Sequence, residues 1–282
     1  MSNLYASPQH LLMHGPNSSL GNHIQHVLYL FNLSQKKKLN FFLPCWSNLN
    51  DLFDIALPFQ KIPHDSKCFF AEQYGGSPTE YEKKEKENNF FLRNFLICDY
   101  EFPENFWMEG WFSHADLMPD DTFFDTFVIK PEIRKIVDEK FPQIKREDNL
   151  TIHYRGTDFR NVTHGWGDMR LCLDYYRRSI EHFAQNKPLK TITIVSDEVP
   201  AILPFISNYF PRKTVVVSNA TAIVDWAVLN LSSNFVSSNS SFAWTAGLFN
   251  KEMVYQPRNF LLREVEDLCF PPYIHYKNSI II

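Results

Sequence analysis

The stretch LTIHYRGTD at 150–158 contains three side chains that could bind a charged ligand. Apolar and polar residues alternate along its first part, and this period of two predicts a strand on which His153 and Arg155 share one face. Gly156 permits a turn, and Asp158 follows in the loop beyond the strand. Open α/β sheets bind ligands at that end of a strand, and the planar fork of an arginine suits phosphate. A solvated ion pair or a capping interaction between Arg155 and Asp158 is the structural alternative.

Two further polar clusters follow apolar segments that have the composition of strands. Asp197 comes after KTITIV, and Asn239, Ser240 and Ser241 come after NFVSS. The two serines precede the apolar segment FAWTAGLF, which predicts a helix. The first turn of a helix offers free amides and the positive end of the helix dipole, both of which favour an anion. For these serines an ordinary N-cap is the alternative, and it is compatible with anion binding.

Strand and helix patterns alternate regularly around these clusters, which predicts right-handed crossovers and a parallel, doubly wound sheet. All three clusters would then lie along the carboxyl edge of one sheet. Asp225 lies in a predicted helix that is apolar on nearly every side, so its carboxylate needs a buried partner. The predicted strands are 150–155, 190–195, 214–218, 234–237 and 252–255, and the predicted helices are 174–185, 199–208, 221–230 and 241–249.

The amino-terminal part of the chain has the pattern of a second β-α-β arrangement. A strand at 10–14, a turn, a helix from Leu20 and a strand at 39–44 follow one another. The amides at the start of this helix suit an anion or a sugar hydroxyl, although an ordinarily capped helix is the alternative. The residues beside these amides are Gly21, Asn22 and His23.

A segment with weaker patterns separates the two arrangements. Residues 75–89 are polar and charged and predict an exposed excursion, whereas 131–140 predicts a helix. A polar linker at 142–148 marks the expected boundary between two lobes, 1–145 and 146–282.

Composition excludes several classes of protein. The chain has 44% hydrophobic and 21% charged residues, which is typical of a soluble globular protein, and its net charge of −4 argues against a nucleic-acid binder. Five scattered cysteines without a C-x-x-C pair argue against a zinc site and favour a reducing, cytoplasmic compartment. The start of the sequence predicts neither a signal peptide nor a membrane anchor. Because no Asp-x-Asp pair is visible, we expect no metal site and no cofactor.

The residues HYRGTD at 153–158 resemble the HxRxxD motif of the fucosyltransferase superfamily. The pair SD at 196–197 and the segment NSSFAW at 239–244 resemble later motifs of the α1,2-fucosyltransferases in the same order, and LGNHIQ at 20–25 is similar to their glycine-asparagine motif. The resemblance covers roughly 11–256, with a loose match in the middle.

This resemblance implies the GT-B fold, α/β with two Rossmann-like β-α-β lobes that face each other across a cleft. The lobe 1–145 would then be the acceptor side, and the lobe 146–282 would bind the nucleotide sugar. By its position in the motif, Arg155 would contact the donor diphosphate. We assign Ser240 and Ser241 to the same diphosphate.

The other matching residues have less direct roles. Asp197 either accepts hydrogen bonds from the base or ribose or caps the following helix. His153 is expected to hold the loop that positions Arg155, and Asp158 either anchors that loop or pairs with Arg155. Asp225 would orient the nucleotide loop. The remaining expected donor-binding residues are Asn239, Gly21, Asn22 and His23.

An inverting transfer requires removal of the proton from the acceptor hydroxyl. His164 and Asp168, in the loop after Asp158, are the candidate bases, and His23 is a third possibility.

Two positions depart from the family pattern. Gly156 stands where many members carry a second arginine directly after the first, so one phosphate contact is either missing or supplied elsewhere. Thr245 stands where a second tryptophan is usual in the α1,2 relatives.

The sequence thus predicts an inverting, metal-independent glycosyltransferase that transfers L-fucose from GDP-fucose to a sugar hydroxyl in cytoplasmic glycan biosynthesis. Its partners would be the donor and a glycan acceptor, without nucleic acid or an integral membrane segment. One alternative is a transferase of the same fold that uses another GDP- or UDP-sugar, such as a xylosyltransferase. Another is a non-catalytic glycan- or nucleotide-binding protein.

Overall fold

The chain forms two compact units, Met1–Lys130 and Pro131–Ile282. The first unit ends before the boundary predicted at residue 145, because the helix Pro131–Lys140 packs against the helix Ala222–Leu231 of the second unit. The computed structural model describes residues 2–6, 20–44, 49–55, 59–71, 83–84, 87, 100–109, 121–161, 168–257 and 278–282.

The described part of the first unit contains a parallel five-stranded sheet in the order β4-β2-β1-β6-β5 and an antiparallel pair, β3 with β7. The predicted strand at 10–14 and most of the excursion at 75–89 lie outside the described residues. The elements of this unit are β1 (Asn3–Ala6), α1 (Leu20–Lys37), β2 (Asn40–Pro44), α2 (Leu49–Leu52), β3 (Phe53–Ile55), β4 (Phe59–Gln60), β5 (Lys67–Ala71), β6 (Asn105–Glu109), α3 (Asp121–Thr126) and β7 (Phe127–Ile129).

Helix α1 forms because apolar residues recur at helical spacing and pack against the sheet, where Ile24, Val27 and Leu28 are buried. It ends at Lys38, which has a left-handed backbone with φ of 54°. The amide of Leu39 then donates to the carbonyl of Ser34, as in a Schellman cap. This sharp stop lets β2 begin directly afterwards.

The second unit contains a six-stranded, fully parallel sheet in the order β10-β9-β8-β11-β12-β13. The nine strands and helices predicted after residue 149 are present to within about one residue at each end, whereas β13 was not predicted. The elements are α4 (Pro131–Lys140), β8 (Asn149–Tyr154), α5 (Leu173–Asn186), β9 (Thr191–Ser196), α6 (Val199–Tyr209), β10 (Thr214–Val217), α7 (Ala222–Leu231), β11 (Asn234–Val236), α8 (Ser241–Phe249), β12 (Met253–Gln256) and β13 (Ser279–Ile281). The parallel sheets confirm the predicted α/β class.

The order of these strands determines where a ligand can bind. The chain goes from β8 outward to β9 and β10, and then returns to the other side of β8 to form β11, β12 and β13. This is the 3-2-1-4-5-6 order of the dinucleotide-binding fold, in which the crevice at the reversal point holds the ligand. Here the reversal lies between β8 and β11, so their carboxyl ends frame the candidate site.

Buried side chains at the amino end of this sheet satisfy one another. Asn149 donates to Thr151 Oγ1 over 3.1 Å and accepts from Thr193 Oγ1 over 2.9 Å, while Ser232 Oγ donates to Thr151 Oγ1 over 2.8 Å. Such bonds fix the register of β8 against β9 and join β8 to the end of α7. Among the helices that the structure describes, none is long and apolar enough to cross a membrane.

Candidate functional site

The turn after β8 is held by an acidic side chain from the neighbouring strand. Tyr154 pairs with Ser196, so the residues after them, Arg155 and Asp197, meet at the edge of the sheet. Arg155 Nη1 lies 3.1 Å from Asp197 Oδ2, and its Nη2 donates to Asp158 Oδ2 over 2.7 Å. The Arg155 side chain is 27% exposed. The alternative pairing of Arg155 with Asp158 that the sequence left open is present.

Asp197 also fixes the backbone of this turn. Its Oδ1 accepts from the amide of Gly156 over 2.8 Å, and its Oδ2 accepts from Thr157 Oγ1 over 2.6 Å. The N-cap residue of α6 is Glu198, and no side chain caps that helix. Asp197 therefore orients the turn and its arginine and is not the N-cap residue of α6.

Gly156, in the turn after β8, lies against the side chain of Glu198, in the turn after β9. A Cβ atom there would lie 2.6 Å from Glu198 Cβ and 2.9 Å from Tyr154 Cε1, and it would also collide with Glu198 Oε2. Glu198 Oε1 in turn accepts from Arg160 Nη2. A second arginine at position 156 is thus excluded by Glu198 in this arrangement.

A chain of buried polar groups joins β8 to β11 across the reversal point. His153 Nδ1 lies 2.7 Å from Ser238 Oγ, and Ser238 donates to Ser240 Oγ over 3.3 Å. His153 is 4% exposed, and burial, aided by the charge of Arg155, lowers its pKa to about 3. The imidazole is therefore neutral at physiological pH.

Ser240 and Ser241 lie at the start of α8, as the sequence predicted. Ser240 is the N-cap, and its Oγ accepts from the amide of Ala243 over 3.2 Å. The side chain of Asn239, 1% exposed, donates to the carbonyl of Met169 over 2.7 Å. Its Oδ1 is buried and has no hydrogen-bond partner within the described part of the chain. A buried acceptor without a donor is costly, by about 1–3 kcal/mol.

Asp225 has the buried partner that its position required. It lies in the first turn of α7 and accepts a hydrogen bond from Ser218, the residue that follows β10. Burial raises the pKa of the Asp225 carboxyl to about 6, while the bond from Ser218 opposes that rise. The pair connects the end of β10 with α7, and its role toward a nucleotide stays a prediction.

The candidate bases are placed as follows. Asp168 forms an ion pair with Arg170, and Arg170 Nε donates to Asp168 Oδ1 over 2.9 Å. These hydrogen bonds hold the pKa of the Asp168 carboxyl below its usual value, which weakens it as a base. His164 lies outside the described residues.

The amino-terminal candidates Gly21, Asn22 and His23 lie in the first turn of α1, in the first unit. Gly21 and His23 are buried, whereas Asn22 is half-buried. Their part in donor binding stays a prediction.

Three contributors to the site were missed from the sequence. Ser238 bonds to His153, Glu198 packs against Gly156, and Arg160 pairs with Glu198. Ser238 could have been found, because it is polar at the end of an apolar strand beside the predicted serines. Glu198 and Arg160 gave no such signal, since charged loop residues are common.

The site as a whole is suited to an anion. Arg155 Nε is buried and, across the described ranges, has no hydrogen-bond partner, although the other guanidinium nitrogens are paired. The N-terminus of α8 lies at the adjacent strand end with its positive dipole. No group of three or more His, Cys, Asp or Glu among the described residues is arranged to hold a metal ion.

Comparison with known proteins places this arrangement in a known fold. No protein-family model and no curated protein matches the sequence. The fucosyltransferase NodZ from Bradyrhizobium is similar in structure, with a TM-score of 0.54 and 14% identity over 88% of this chain and 92% of that chain. A variant of Arabidopsis thaliana FUT1 in complex with GDP gives 0.53 and 12%, over 93% and 72%. POFUT1 in complex with GDP-fucose gives 0.51 and 10%, over 87% and 93%. The chain therefore has the α/β fold of the GT-B type that the fucosyltransferase NodZ has.

Proposed function

We propose that the chain is a glycosyltransferase that transfers L-fucose from GDP-fucose to a sugar hydroxyl. The observation that carries this proposal is the buried Arg155 Nε at the reversal point of the sheet, a charged donor that has no partner among the described residues. A phosphate oxygen of a bound donor is the acceptor that such a group needs. Asn239 Oδ1 is a second unsatisfied group at the same edge, and it could accept from a ligand hydroxyl or amide.

The similar structures support the choice of ligand. One is described as NodZ α-1,6-fucosyltransferase co-crystallised with GDP, and another as the same enzyme soaked with GDP-fucose. The motif HYRGTD and the later serine motif lie at the carboxyl ends of β8 and β11, which frame the crevice of this fold class.

The chemistry that these residues would perform is stabilisation of the leaving diphosphate. Negative charge develops on that group as the bond to the sugar breaks, and preorganised donors in a fixed site lower the barrier. Arg155 would supply a fork of charged donors, and Ser240 and Ser241 would supply hydroxyls and amides of the α8 N-terminus. Asp158 is 59% exposed, so its pairing with Arg155 contributes at most about 1 kcal/mol and can be exchanged for a phosphate.

His153 would act through other groups. Its neutral imidazole bonds to Ser238, which bonds to Ser240, so it fixes the strand end from which α8 begins. Burial and the charge of Arg155 keep this imidazole neutral, so His153 is not itself a cation for the diphosphate. We assign it a positioning role.

A second donor remains a specific alternative. Gly156 replaces the second arginine of many related transferases, and Glu198 fills the space beside it. A different nucleotide sugar could accommodate this change, so another GDP-sugar or a UDP-sugar is the second candidate.

The test is turnover of a donor panel by the purified protein in the presence of EDTA. We expect slow release of GDP from GDP-fucose without acceptor, faster release with a suitable glycan, and little reaction with GDP-mannose or UDP-xylose. Reaction with only a UDP-sugar would favour the second candidate. Activity that required added manganese would contradict metal independence, and binding without turnover of any donor would favour a non-catalytic protein.

A further inference from the structure

We infer that Arg160 supplies the second cation for the donor diphosphate, held in place by Glu198. This inference rests on the proposed function and assigns the phosphate contact that Gly156 cannot make. Arg160 comes from the 3₁₀ turn Asp158–Asn161, directly after the β8 turn that carries Arg155.

The charges around Arg155 show why another cation is needed. Its two terminal guanidinium nitrogens already pair with two carboxylates, Asp158 and Asp197, so among the described residues only Nε keeps an open hydrogen-bonding position in the free protein. A diphosphate brings at least two further negative charges. Placing the diphosphate beside these carboxylates is unfavourable unless a further cation helps to balance its negative charge.

The geometry of Gly156 and Glu198 places that cation beside the turn. Glu198 approaches Gly156 so closely that no side chain fits there, and its Oε1 binds Arg160 Nη2. The contact with Glu198 thus holds Arg160 at the carboxyl edge of β8 and β9. Its guanidinium lies near enough to Asp168 to help lower the pKa of that carboxyl.

Arg160 also has donors to offer. Only its Nη2 is bonded, and its Nε and Nη1 have no hydrogen-bond partner among the residues that the structure describes. The side chain is 47% exposed, so a ligand can reach it. An arginine held at one nitrogen by a carboxylate can present the others to phosphate as a fixed fork.

The neighbouring arginine is less suitable. Arg170 uses Nε and Nη2 on Asp168, so two of its three side-chain nitrogens are already engaged. Of these two described arginines, Arg160 has more free donors.

The test is calorimetric titration of GDP into the wild type, Arg160→Met and Arg160→Lys, without added metal. We expect Arg160→Met to weaken GDP binding by about 10- to 100-fold, as for loss of charge-assisted bonds, and Arg160→Lys to fall between the two. Arg146→Met is the matched control. Arg146 is also a half-exposed arginine bonded to one carboxylate, Asp148, but it lies at the amino end of β8.

The outcomes separate this inference from the proposed function. If the wild type binds GDP and Arg155→Lys weakens that binding, but Arg160→Met does not, the proposed function stands and the inference is wrong. If the wild type does not bind GDP, both are wrong. Thermal unfolding of each variant checks folding. Should Arg160→Met not fold, Arg160→Gln, which removes the charge but keeps an amide donor for Glu198, decides, and wild-type affinity there would overturn the inference.

Discussion

At Gly156 the backbone of the turn after β8 contacts the side chain of Glu198, so there is no space for a single added methyl group. The carbon distances of 2.6 Å to Glu198 Cβ and 2.9 Å to Tyr154 Cε1 are well below the about 3.5 Å at which carbon atoms pack. A glycine is therefore required here by close approach and not by an unusual backbone angle.

We predict that Gly156→Ala lowers the free energy of unfolding by about 1–3 kcal/mol, as overpacking does elsewhere. Urea unfolding followed by circular dichroism measures it. The control is the same change in a Glu198→Gly background, where the colliding Cβ is absent and the loss should be smaller. An equal loss in both backgrounds would show that Glu198 is not the obstacle.

Some of these residue contacts could be predicted and others could not. Parallel pairing of β8 with β9 places Arg155 beside Asp197, and the sequence had located both strand ends. The collision of Glu198 with Gly156 depends on the path of two turns, for which a sequence pattern carries no signal. The same is true of Arg160, which looks like any exposed loop arginine until the turn is seen.

Among the elements, the N-termini of α7 and α8 offer a matched pair. Each begins with a hydroxyl cap: Thr221 accepts from the amide of Val224, and Ser240 accepts from the amide of Ala243. Ser240 is buried at the reversal point and bonded to Ser238, whereas Thr221 is exposed beyond β10. The two hydroxyls cap their helices in the same way, but Ser240 lies closer than Thr221 to β8, the strand that precedes Arg155.

We predict that Ser240→Ala and Thr221→Ala each cost about 0.5–2 kcal/mol of stability, the usual loss for an N-cap, measured by thermal unfolding. Only Ser240→Ala should also weaken GDP binding, because its hydroxyl is assigned to the diphosphate. Equal loss of GDP affinity in both variants, or in neither, would argue that Ser240 serves the helix alone.

The elements of the second unit were predictable because each has a strong local period and a clear length. Strand β13 was not predicted, although the isoleucines at 280–282 favour a strand, because so short a run takes its structure from pairing with β12. In the first unit, β3 has three residues and β4 has two, so both are as short as β13 or shorter. Long-range pairing, and not local propensity, decides such strands.

For the whole molecule, the alternation of strands and helices after residue 149 was enough to predict the parallel sheet of the second unit. In the first unit α1 and β2 were predicted, but the central strands of its sheet, β1 (Asn3–Ala6) and β6 (Asn105–Glu109), were not. The division between the units was harder to place. A polar linker that resembles a domain boundary separates helix α4 from β8. However, α4 packs on α7 and so belongs to the second unit. Which core a helix joins is decided by tertiary packing, and a polar linker marks only where the chain is exposed.

The overall charge of −4 makes binding of a diphosphate nucleotide dependent on local cations. Around Arg155 the described carboxylates are at least as numerous as the arginines. Binding of a diphosphate therefore depends on the few donors that still have free hydrogen-bonding capacity. We therefore expect Arg155 to bind the diphosphate of a guanosine donor.

The most direct measurement is calorimetric titration of GDP, and in parallel UDP, into the wild type, Arg155→Lys and the control Arg146→Lys, with EDTA present. We predict that the wild type binds GDP in preference to UDP. Arg155→Lys, which keeps the charge but loses the fork, should bind GDP about 10- to 100-fold more weakly, while Arg146→Lys should match the wild type. GDP binding that is unchanged in Arg155→Lys, or absent from the wild type, would contradict the assignment of this site.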